Sequence, residues 1–355
     1  MAGNQLPTMR HVLPLTTIRL ERKLPGPGTV TVRIREKVQP ADVVAEVQPP
    51  TKHYFLDLAA GLGTSEAEVS RYMRVELGSN VEAGQVIAGP VGIARRTMRA
   101  PANGRLLTLS RGRALFEASE EPYQIHAGVS GVVVASDGTS SLTIETTGAL
   151  IQGAWGNGRR GWGVMRVIGQ GPSDRLLTDQ LDINLRGAVL LAGVCDNAAP
   201  LHQATELAVR GLVLGSMTAE LIPIALRVAY PILLMEGFGT APMNRVAYEL
   251  LNSNAGREAS LEATLREPYG RQMPEVIIPL PTSSRISSPE RVIQFAPGVR
   301  VRCMRAPHTG AVGKIRHLIP KAEAFPSGIF ARSALVDLEE IGSVPVPLSN
   351  LEVLA

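Results

Sequence analysis

Lysine is scarce in this sequence. Of the 36 Lys and Arg residues, only five are Lys, and none lies between His53 and Gly313. The five are Lys23, Lys37, Lys52, Lys314 and Lys321. The gap excludes a P-loop, a Schiff-base lysine and a biotin or lipoyl attachment site from the middle of the chain, because each needs a lysine amine. A coding bias toward Arg is the simpler cause of the gap, and the chemical exclusion holds for either cause.

Cysteine, histidine and aromatic residues are also few. The two cysteines, Cys195 and Cys303, lie far apart and in no CxxC pair, so neither a disulfide framework nor a zinc site is expected. The six histidines form no HExxH or HxH motif. We therefore expect no metal and no other cofactor. An aromatic content of 4%, with 35 Gly and 26 Pro, predicts many turns and short aliphatic strands.

Charge and hydropathy indicate neither a membrane protein nor a disordered chain. The 355 residues are 45% apolar and 19% charged, with a mean hydropathy of +0.09 and a net charge of +4. The N-terminal residues lack the pattern of a signal peptide, and Glu, Arg and Pro interrupt the most apolar stretch, residues 212–238. We expect a cytoplasmic protein of two or three domains.

The residue pattern divides the chain into three units and predicts a multidomain β and α/β architecture. Residues 1–165 are β-rich, and residues 166–281 alternate apolar strands with helices. Residues 290–355 form a last small β unit, which follows a polar linker at 282–290. The expected order is therefore a β domain, a small parallel α/β domain and a small β-barrel.

Two short internal echoes mark the first unit. Residues 38–45 match residues 81–88, each a turn that leads into a short apolar strand. Residues 100–107 match residues 127–134, each with a Gly just before an apolar strand. The alternating segment Thr29–Arg35 predicts a half-buried strand.

This order of glycines and apolar strands resembles the barrel-sandwich hybrid fold of biotinyl and lipoyl carriers, which also occurs in RnfC-type electron-transport subunits. The resemblance covers residues 28–147 and rests on Val81, Gly84, Gln85, Val86, Ala88, Ala100, Pro101 and Gly104. The carriers hold their modified lysine on a hairpin that corresponds to Gly89–Met98 here, where there is no Lys, so a carrier role is excluded. Two separated cysteines also exclude an iron–sulfur electron carrier, which needs about four thiolates.

Two further segments have more than one interpretation. Thr64–Met73 predicts a short helix that Thr64 or Ser65 caps. The glycine-rich residues 148–170 contain both tryptophans and Arg159-Arg160. No helix is expected after these glycines, so a bent β segment that packs the tryptophans at a domain junction is favoured over a phosphate loop.

The middle unit predicts a parallel sheet covered on both faces. The expected strands are Arg186–Gly193, Gly211–Ser216, Pro231–Glu236 and Glu275–Leu280, and the expected helices are Ala198–Val209, Met217–Ala229 and Ala241–Leu251. The rhythm is similar to that of small ligand-binding α/β domains of the DRTGG type. Ligands bind at the carboxyl ends of such strands, which predicts a crevice lined by Asp196, Asn197, Ser216, Glu236 and Thr240. The alternative is that these residues are helix caps.

The segment from Pro297 to Ile315 resembles a KOW motif in an SH3-like barrel. Gly298, Val299, Val301, Gly310, Gly313, Lys314 and Ile315 match the pattern. The resemblance implies contact with RNA or protein, and a basic strip supplies candidate residues, which are Arg300, Arg302, Arg305, Lys314, Arg316 and Lys321. A solvated strand face is the alternative for this strip, and it is favoured for an earlier run of arginines at 95–113.

Two functions remain. The first is a non-enzymatic binding or assembly protein, with a protein partner, with itself or with nucleic acid, and without membrane insertion. The basic segment 298–321 followed by the acidic segment 322–355 would suit head-to-tail self-association. The second is a small-molecule sensor or enzyme that uses the strand-end crevice. The sequence favours the first, because no His or Lys lies near the crevice residues to complete acid–base chemistry.

Overall fold

The protein is mostly β, with 48% of residues in strands and 13% in helices, arranged in several sheets. The computed structural model describes residues 8–49, 51–119, 122–264, 273–282, 286–289, 293–339 and 341–355. In that part of the chain, none of the helices is both long and apolar enough to cross a membrane.

In the described residues before 153, the structure has fourteen strands and one α-helix. The strands are β1 Thr8–Arg10, β2 Val12–Lys23, β3 Gly28–Val30, β4 Lys37–Val38, β5 Val43–Val47, β6 Lys52–Asp57, β7 Asn80–Val81, β8 Val86–Val91, β9 Arg96–Arg99, β10 Gly104–Ser110, β11 Arg113–Ala118, β12 Tyr123–His126, β13 Gly131–Ser136 and β14 Ser141–Gln152. The helix is α1, Leu58–Leu62. They build sheets in the orders β6-β11-β10-β7, β12-β5-β3 and β8-β9, while β2, β4, β13 and β14 join a larger sheet.

The two sequence echoes adopt matching local structures. The turns after β4 and β7 are each closed by a backbone hydrogen bond of 3.0 Å between their first and fourth residues. In each turn, the side chain of the fourth residue also accepts the amide of the first. Gly131 then pairs with Val38, and Gly104 pairs with Val81. A Cβ at Gly104 would lie 2.0 Å from the carbonyl oxygen of Glu117, so the close strand pairing requires glycine there.

Two local expectations for this region were wrong. The strand expected over Thr29–Arg35 ends at Val30, because a turn closed by the Glu36 amide on the Arg33 carbonyl follows. The segment Thr64–Met73 forms only a 3₁₀ turn at Val69–Tyr72. The hydroxyls of Thr64 and Ser65 donate to the Glu68 carboxylate and do not cap an α-helix.

The middle region contains four adjacent parallel strands in the order β19-β18-β17-β16. Its strands are β15 Trp155–Gly156, β16 Arg159–Val167, β17 Val189–Cys195, β18 Gly211–Met217, β19 Ile232–Phe238, β20 Glu258–Ala263 and β21 Glu275–Pro279. Its helices are α2 Ala199–Glu206, α3 Ile222–Ala225 and α4 Arg245–Ser253, with 3₁₀ turns at Thr178–Gln180, Ile183–Leu185 and Ala219–Leu221. Every residue of β17 and β18 is buried, as expected for strands covered on both faces.

The sheet extends beyond the parallel strands into the first region. The antiparallel strand β20 pairs with β16, β21 pairs with β20, and β14 pairs with β21. The segment at Glu275, expected as a further strand of the parallel sheet, is therefore antiparallel and bridges to β14. The predicted boundary between residues 165 and 166 lies within β16.

The last sheet joins the two ends of the chain. Its strands are β22 Arg300–Cys303, β23 Val312–Ala324, β24 Phe330–Leu338, β25 Gly342–Pro347 and β26 Leu351–Leu354, with a 3₁₀ turn at Leu348–Asn350. The sheet order is β1-β26-β22-β23-β24-β25, and β1 runs parallel to β26. The expected polar linker is described only at residues 282 and 286–289, where the carbonyls of Ile286 and Ser287 accept hydrogen bonds from β2.

Candidate functional site

The carboxyl ends of β17, β18 and β19 are neighbours, and their polar side chains bond to the protein itself. The carboxylate of Asp196 lies 2.9 Å from the guanidinium of Arg175. Asn197 accepts the amide of Ala199 at 2.9 Å, and Ser216, which is buried, donates to the carbonyl of Ala241 at 2.7 Å. Three of the five predicted crevice residues therefore hold local structure together.

Glu236 is the most constrained of the predicted crevice residues. One carboxylate oxygen accepts both the amide and the side-chain nitrogen of Asn244, at 2.9 and 2.8 Å. The other oxygen accepts from Arg302. Asn244 in turn caps α4, since its side chain accepts the amide of Ala247. The fifth predicted residue, Thr240, is exposed in the loop beyond β19.

Arg302 belongs to a buried charge cluster that closes this edge of the sheet. The cluster consists of Arg10, Glu236, Arg302 and Glu352. Arg302 lies 2.5 Å from Glu352, which also pairs with Arg10 at 2.9 Å. Arg10 donates to the carbonyl of Met235 in β19 at 2.6 Å. Two cations and two anions from β1, β19, β22 and β26 are thus brought together in a buried, neutral arrangement.

This placement separates Arg302 from the predicted basic strip. Its side chain is 1% exposed, so it cannot contact a nucleic acid or another protein as expected from the sequence. Alternation puts Arg302 on the same side of β22 as the exposed Arg300, but Arg302 lies opposite Glu352 of β26, and its neighbours Val301 and Cys303 are buried as well. The other five predicted residues of the strip are exposed.

Three exposed residues of the strip form one surface, here called the C-terminal basic patch: Arg300, Lys314 and Arg316. Arg300 lies directly opposite Lys314 on β22 and β23. Lys314 lies opposite Asp337, whose carboxylate is 4.0 Å from Arg316. Arg305, in the turn after β22, and Lys321, further along β23, are exposed beyond the patch.

A second basic surface, which the sequence analysis did not single out as a site, lies at the opposite edge of the parallel strands. Three arginines line an open groove of about 500 Å³ there: Arg160, Arg186 and Arg210. The sequence does contain a signal for it, because an Arg-Gly pair stands at the start of β16, immediately before β17, and at the start of β18. Parallel strands place their starts at the same sheet edge, so this repeated pair predicts a shared surface.

Glycines allow the backbone of β16 to approach the backbone at the starts of β17 and β18. A Cβ at Gly161 would lie 2.2 Å from the carbonyl oxygen of Arg210. A Cβ at Gly163 would lie 2.6 Å from the carbonyl oxygen of Gly187. The glycine-rich segment is therefore a β segment whose backbone fixes where Arg186 and Arg210 emerge.

Neither cysteine has the properties of a reactive thiol. Burial raises the pKa of the Cys195 thiol to about 11, and its Sγ donates to the Asn197 carbonyl at 3.3 Å. Burial raises the pKa of Cys303 to about 11 as well. A thiol with so high a pKa is a poor nucleophile near neutral pH. In the described part of the chain, no group of three or more His, Cys, Asp and Glu side chains is arranged to hold a metal ion.

The inference of function rests on the geometry of these surfaces, because comparison with known proteins found no match. No protein-family model matches the chain, and no curated protein matches it.

Proposed function

We propose that this chain is a non-enzymatic, multidomain binding protein whose C-terminal basic patch contacts a polyanion, with the phosphate backbone of a nucleic acid as the partner to test first. The observation that carries the proposal is the cross-strand pair of Arg300 and Lys314. Like charges directly opposite each other destabilise a sheet unless a counter-charge compensates them. Asp337 supplies one such charge for three cations, which leaves the patch net positive.

The proposal includes a more detailed interpretation of the architecture, which assigns a fold to each of the three regions. The matching turns and strand pairs of the first region support a barrel-sandwich hybrid, the parallel strands support a Rossmann-like α/β unit, and the strands after residue 298 support a KOW-type SH3-like barrel. In such an arrangement the last unit presents the patch, while the other two provide the scaffold.

Head-to-tail self-association has less support than contact with a polyanion. It requires a free acidic surface on residues 322–355. Glu352 is buried in the charge cluster, Glu323 accepts from Ser333, and Asp337 lies within the patch itself. Three of the acids that sequence asymmetry assigns to this segment thus have partners inside the same chain.

A sensor or enzyme at the carboxyl ends of the parallel strands also has less support. Asp196, Ser216 and Glu236 each bond to a protein group there, and Arg302 lies where a ligand would reach Glu236. A ligand at this edge would have to displace contacts that hold α4 and the last sheet in place.

The test is fluorescence anisotropy with labelled single- and double-stranded DNA and RNA over a range of salt. The double variant Arg300→Ala/Lys314→Ala is compared with Arg71→Ala/Arg227→Ala, which removes two exposed arginines elsewhere. We expect saturable binding at low salt, and we expect the patch variant to reduce the slope of log affinity against log salt by about two. The control variant keeps the wild-type slope.

Two results would overturn the proposal. One is no retention of any nucleic acid at low salt together with a monomeric peak in light scattering at high protein concentration. The other is an equal loss of affinity in the patch and control variants, which would show that only net charge matters. Concentration-dependent oligomers without nucleic-acid binding would instead support assembly with itself.

A further inference from the structure

The groove at the amino ends of the parallel strands combines three cations with a concave shape. Arg160 reaches it from β16, Arg186 from the turn before β17, and Arg210 from the start of β18. Trp162, which is half-buried, provides aromatic surface in the same groove, and Tyr230, which is buried, also lines it. Its volume of about 500 Å³ is within the range of small-molecule sites, about 300–1,000 Å³.

The groove is electrostatically unbalanced. Within the residues that the structure describes, no Asp or Glu lines it, and neither Arg186 nor Arg210 has a carboxylate within 4 Å. Arg160 pairs with Glu262 at 2.9 Å, but Glu262 also pairs with the buried Arg22 at 2.5 Å. One carboxylate is therefore shared by two guanidinium groups, and the groove keeps a net positive charge.

The positions of these arginines are set by the backbone. The carbonyl of Arg210 and the carbonyl of Gly187 lie so close to β16 that only glycine fits at positions 161 and 163. The amide of Arg210 donates to the Ala188 carbonyl at 2.8 Å, and the amide of Gly187 donates to Ala208 at 3.2 Å. The backbone that carries Arg186 and Arg210 is thus fixed at one rim of the groove. This reduces the conformational entropy that is lost when a ligand orders the two guanidinium groups.

We propose that this groove binds a phosphate-bearing small molecule, with Arg186 and Arg210 as the main phosphate ligands and Arg160 as the third cation. Guanidinium groups hold phosphate oxygens through paired N–H donors, and several of them around one anion compensate both its charge and their own repulsion. The half-buried side chain of Trp162 would contact the organic part of the ligand. This proposal is independent of polyanion binding at the C-terminal basic patch, which lies in another sheet.

The test is isothermal titration calorimetry with four probes: inorganic phosphate, ribose 5-phosphate, AMP and adenosine. We expect saturable binding of the phosphate-bearing probes and none of adenosine. Tighter binding of AMP than of ribose 5-phosphate would identify a nucleotide as the preferred source of the phosphate, whereas equal affinities for these two probes, both above that for inorganic phosphate, would identify a sugar phosphate.

Variants connect the binding to the groove. Arg186→Ala/Arg210→Ala should lower the affinity for the phosphate-bearing probes by about tenfold or more. Arg175→Ala/Arg227→Ala, which removes two exposed arginines outside the groove, should bind like the wild type. So should the patch variant Arg300→Ala/Lys314→Ala. Unfolding midpoints measured in parallel show that each variant is folded.

The proposal is wrong if none of the three phosphate-bearing probes binds at millimolar concentration. It is also wrong if they bind with the same affinity to the wild type and to Arg186→Ala/Arg210→Ala. Loss of probe binding in the patch variant alone would move the phosphate site to the C-terminal sheet.

Discussion

Both edges of the parallel strands carry charged residues, but the two edges differ in what those charges contact. At the carboxyl edge, Glu236 meets Arg302, and Arg10 and Glu352 complete a neutral buried cluster. At the amino edge, Arg186 and Arg210 face solvent in an open groove. The charges at the carboxyl edge hold parts of the molecule together, whereas the amino edge has uncompensated positive charge that a ligand could bind.

The difference teaches how far a topological rule extends. Ligands usually bind at the carboxyl ends of parallel strands because helix amino termini and open loops converge there. Here the last sheet contacts that edge and supplies Arg10 from β1, Arg302 from β22 and Glu352 from β26. A rule about an isolated α/β unit fails when another part of the chain covers the edge to which the rule applies.

The largest expected effect comes from breaking the closed edge. Arg302→Ala leaves Glu236 and Glu352 buried without their shared cation, and removing one partner of such an arrangement costs about 3–5 kcal/mol. Urea unfolding followed by circular dichroism measures this loss. Arg186→Ala is the matched variant at the open edge, and its free energy of unfolding should stay within about 0.5 kcal/mol of the wild type.

Equal losses for Arg302→Ala and Arg186→Ala would contradict this contrast between the two edges. Arg302→Met gives a second measurement, because it keeps most of the side-chain volume and removes the charge together with the N–H donors. A loss below about 1 kcal/mol for both Arg302 variants would mean that the cluster contributes little to stability.

A medium effect on the free energy of unfolding is expected from a change in pH, which acts through a row of side chains next to the open amino edge. Arg160 lies opposite Glu262, Glu262 opposite Glu275, and Glu275 opposite Gln152 on neighbouring strands. Burial, with the nearby Glu262 charge as a smaller cause, raises the pKa of Glu275 from 4.5 to about 7. The folded state therefore binds a proton more tightly than the unfolded state, so stability is lost as the pH rises from about 5 to 7.

The measurement is the free energy of unfolding of the wild type and of Glu275→Gln at several pH values. The wild type should lose on the order of 1 kcal/mol per pH unit in this window relative to the variant. The comparison with the variant is needed because burial lowers the pKa of His11, which contributes with the opposite sign. Parallel curves for the two proteins would show that Glu275 does not titrate in this range.

Local patterns in the sequence predicted many of the individual strands and turns but not the pairing of strands that are distant in the sequence. The alternation of apolar strands and helices located β17, β18 and β19 and the start of α2, because these strands are buried by their own helices. The echoes located the matching turns of the first region. Strand β1 pairs with the far C-terminal β26, and β21 pairs with β14, which lies more than 100 residues earlier; no local period records such pairing.

The candidate site shows the same limit. The three strands whose carboxyl ends carry the predicted crevice residues are parallel neighbours in the sheet. Their availability was not predictable, because Arg302 looked like a surface residue of a basic strip, and only the pairing of β22 with β26 places it inside. The Arg-Gly pairs before successive strands were visible in the sequence, and their shared edge follows from the same parallel order.

The smallest expected effect sharpens the comparison at the closed edge. Asp196 pairs with Arg175 at 2.9 Å, but 67% of the Arg175 side chain and 24% of the Asp196 side chain are exposed. Water and salt screen such a pair, so Asp196→Ala should cost at most about 0.5–1 kcal/mol in urea unfolding. It should also leave the calorimetric affinity for AMP unchanged, because the phosphate groove lies at the other edge. A clear loss of AMP affinity in this variant would place the ligand at the carboxyl ends of the strands, where the topological rule expects it.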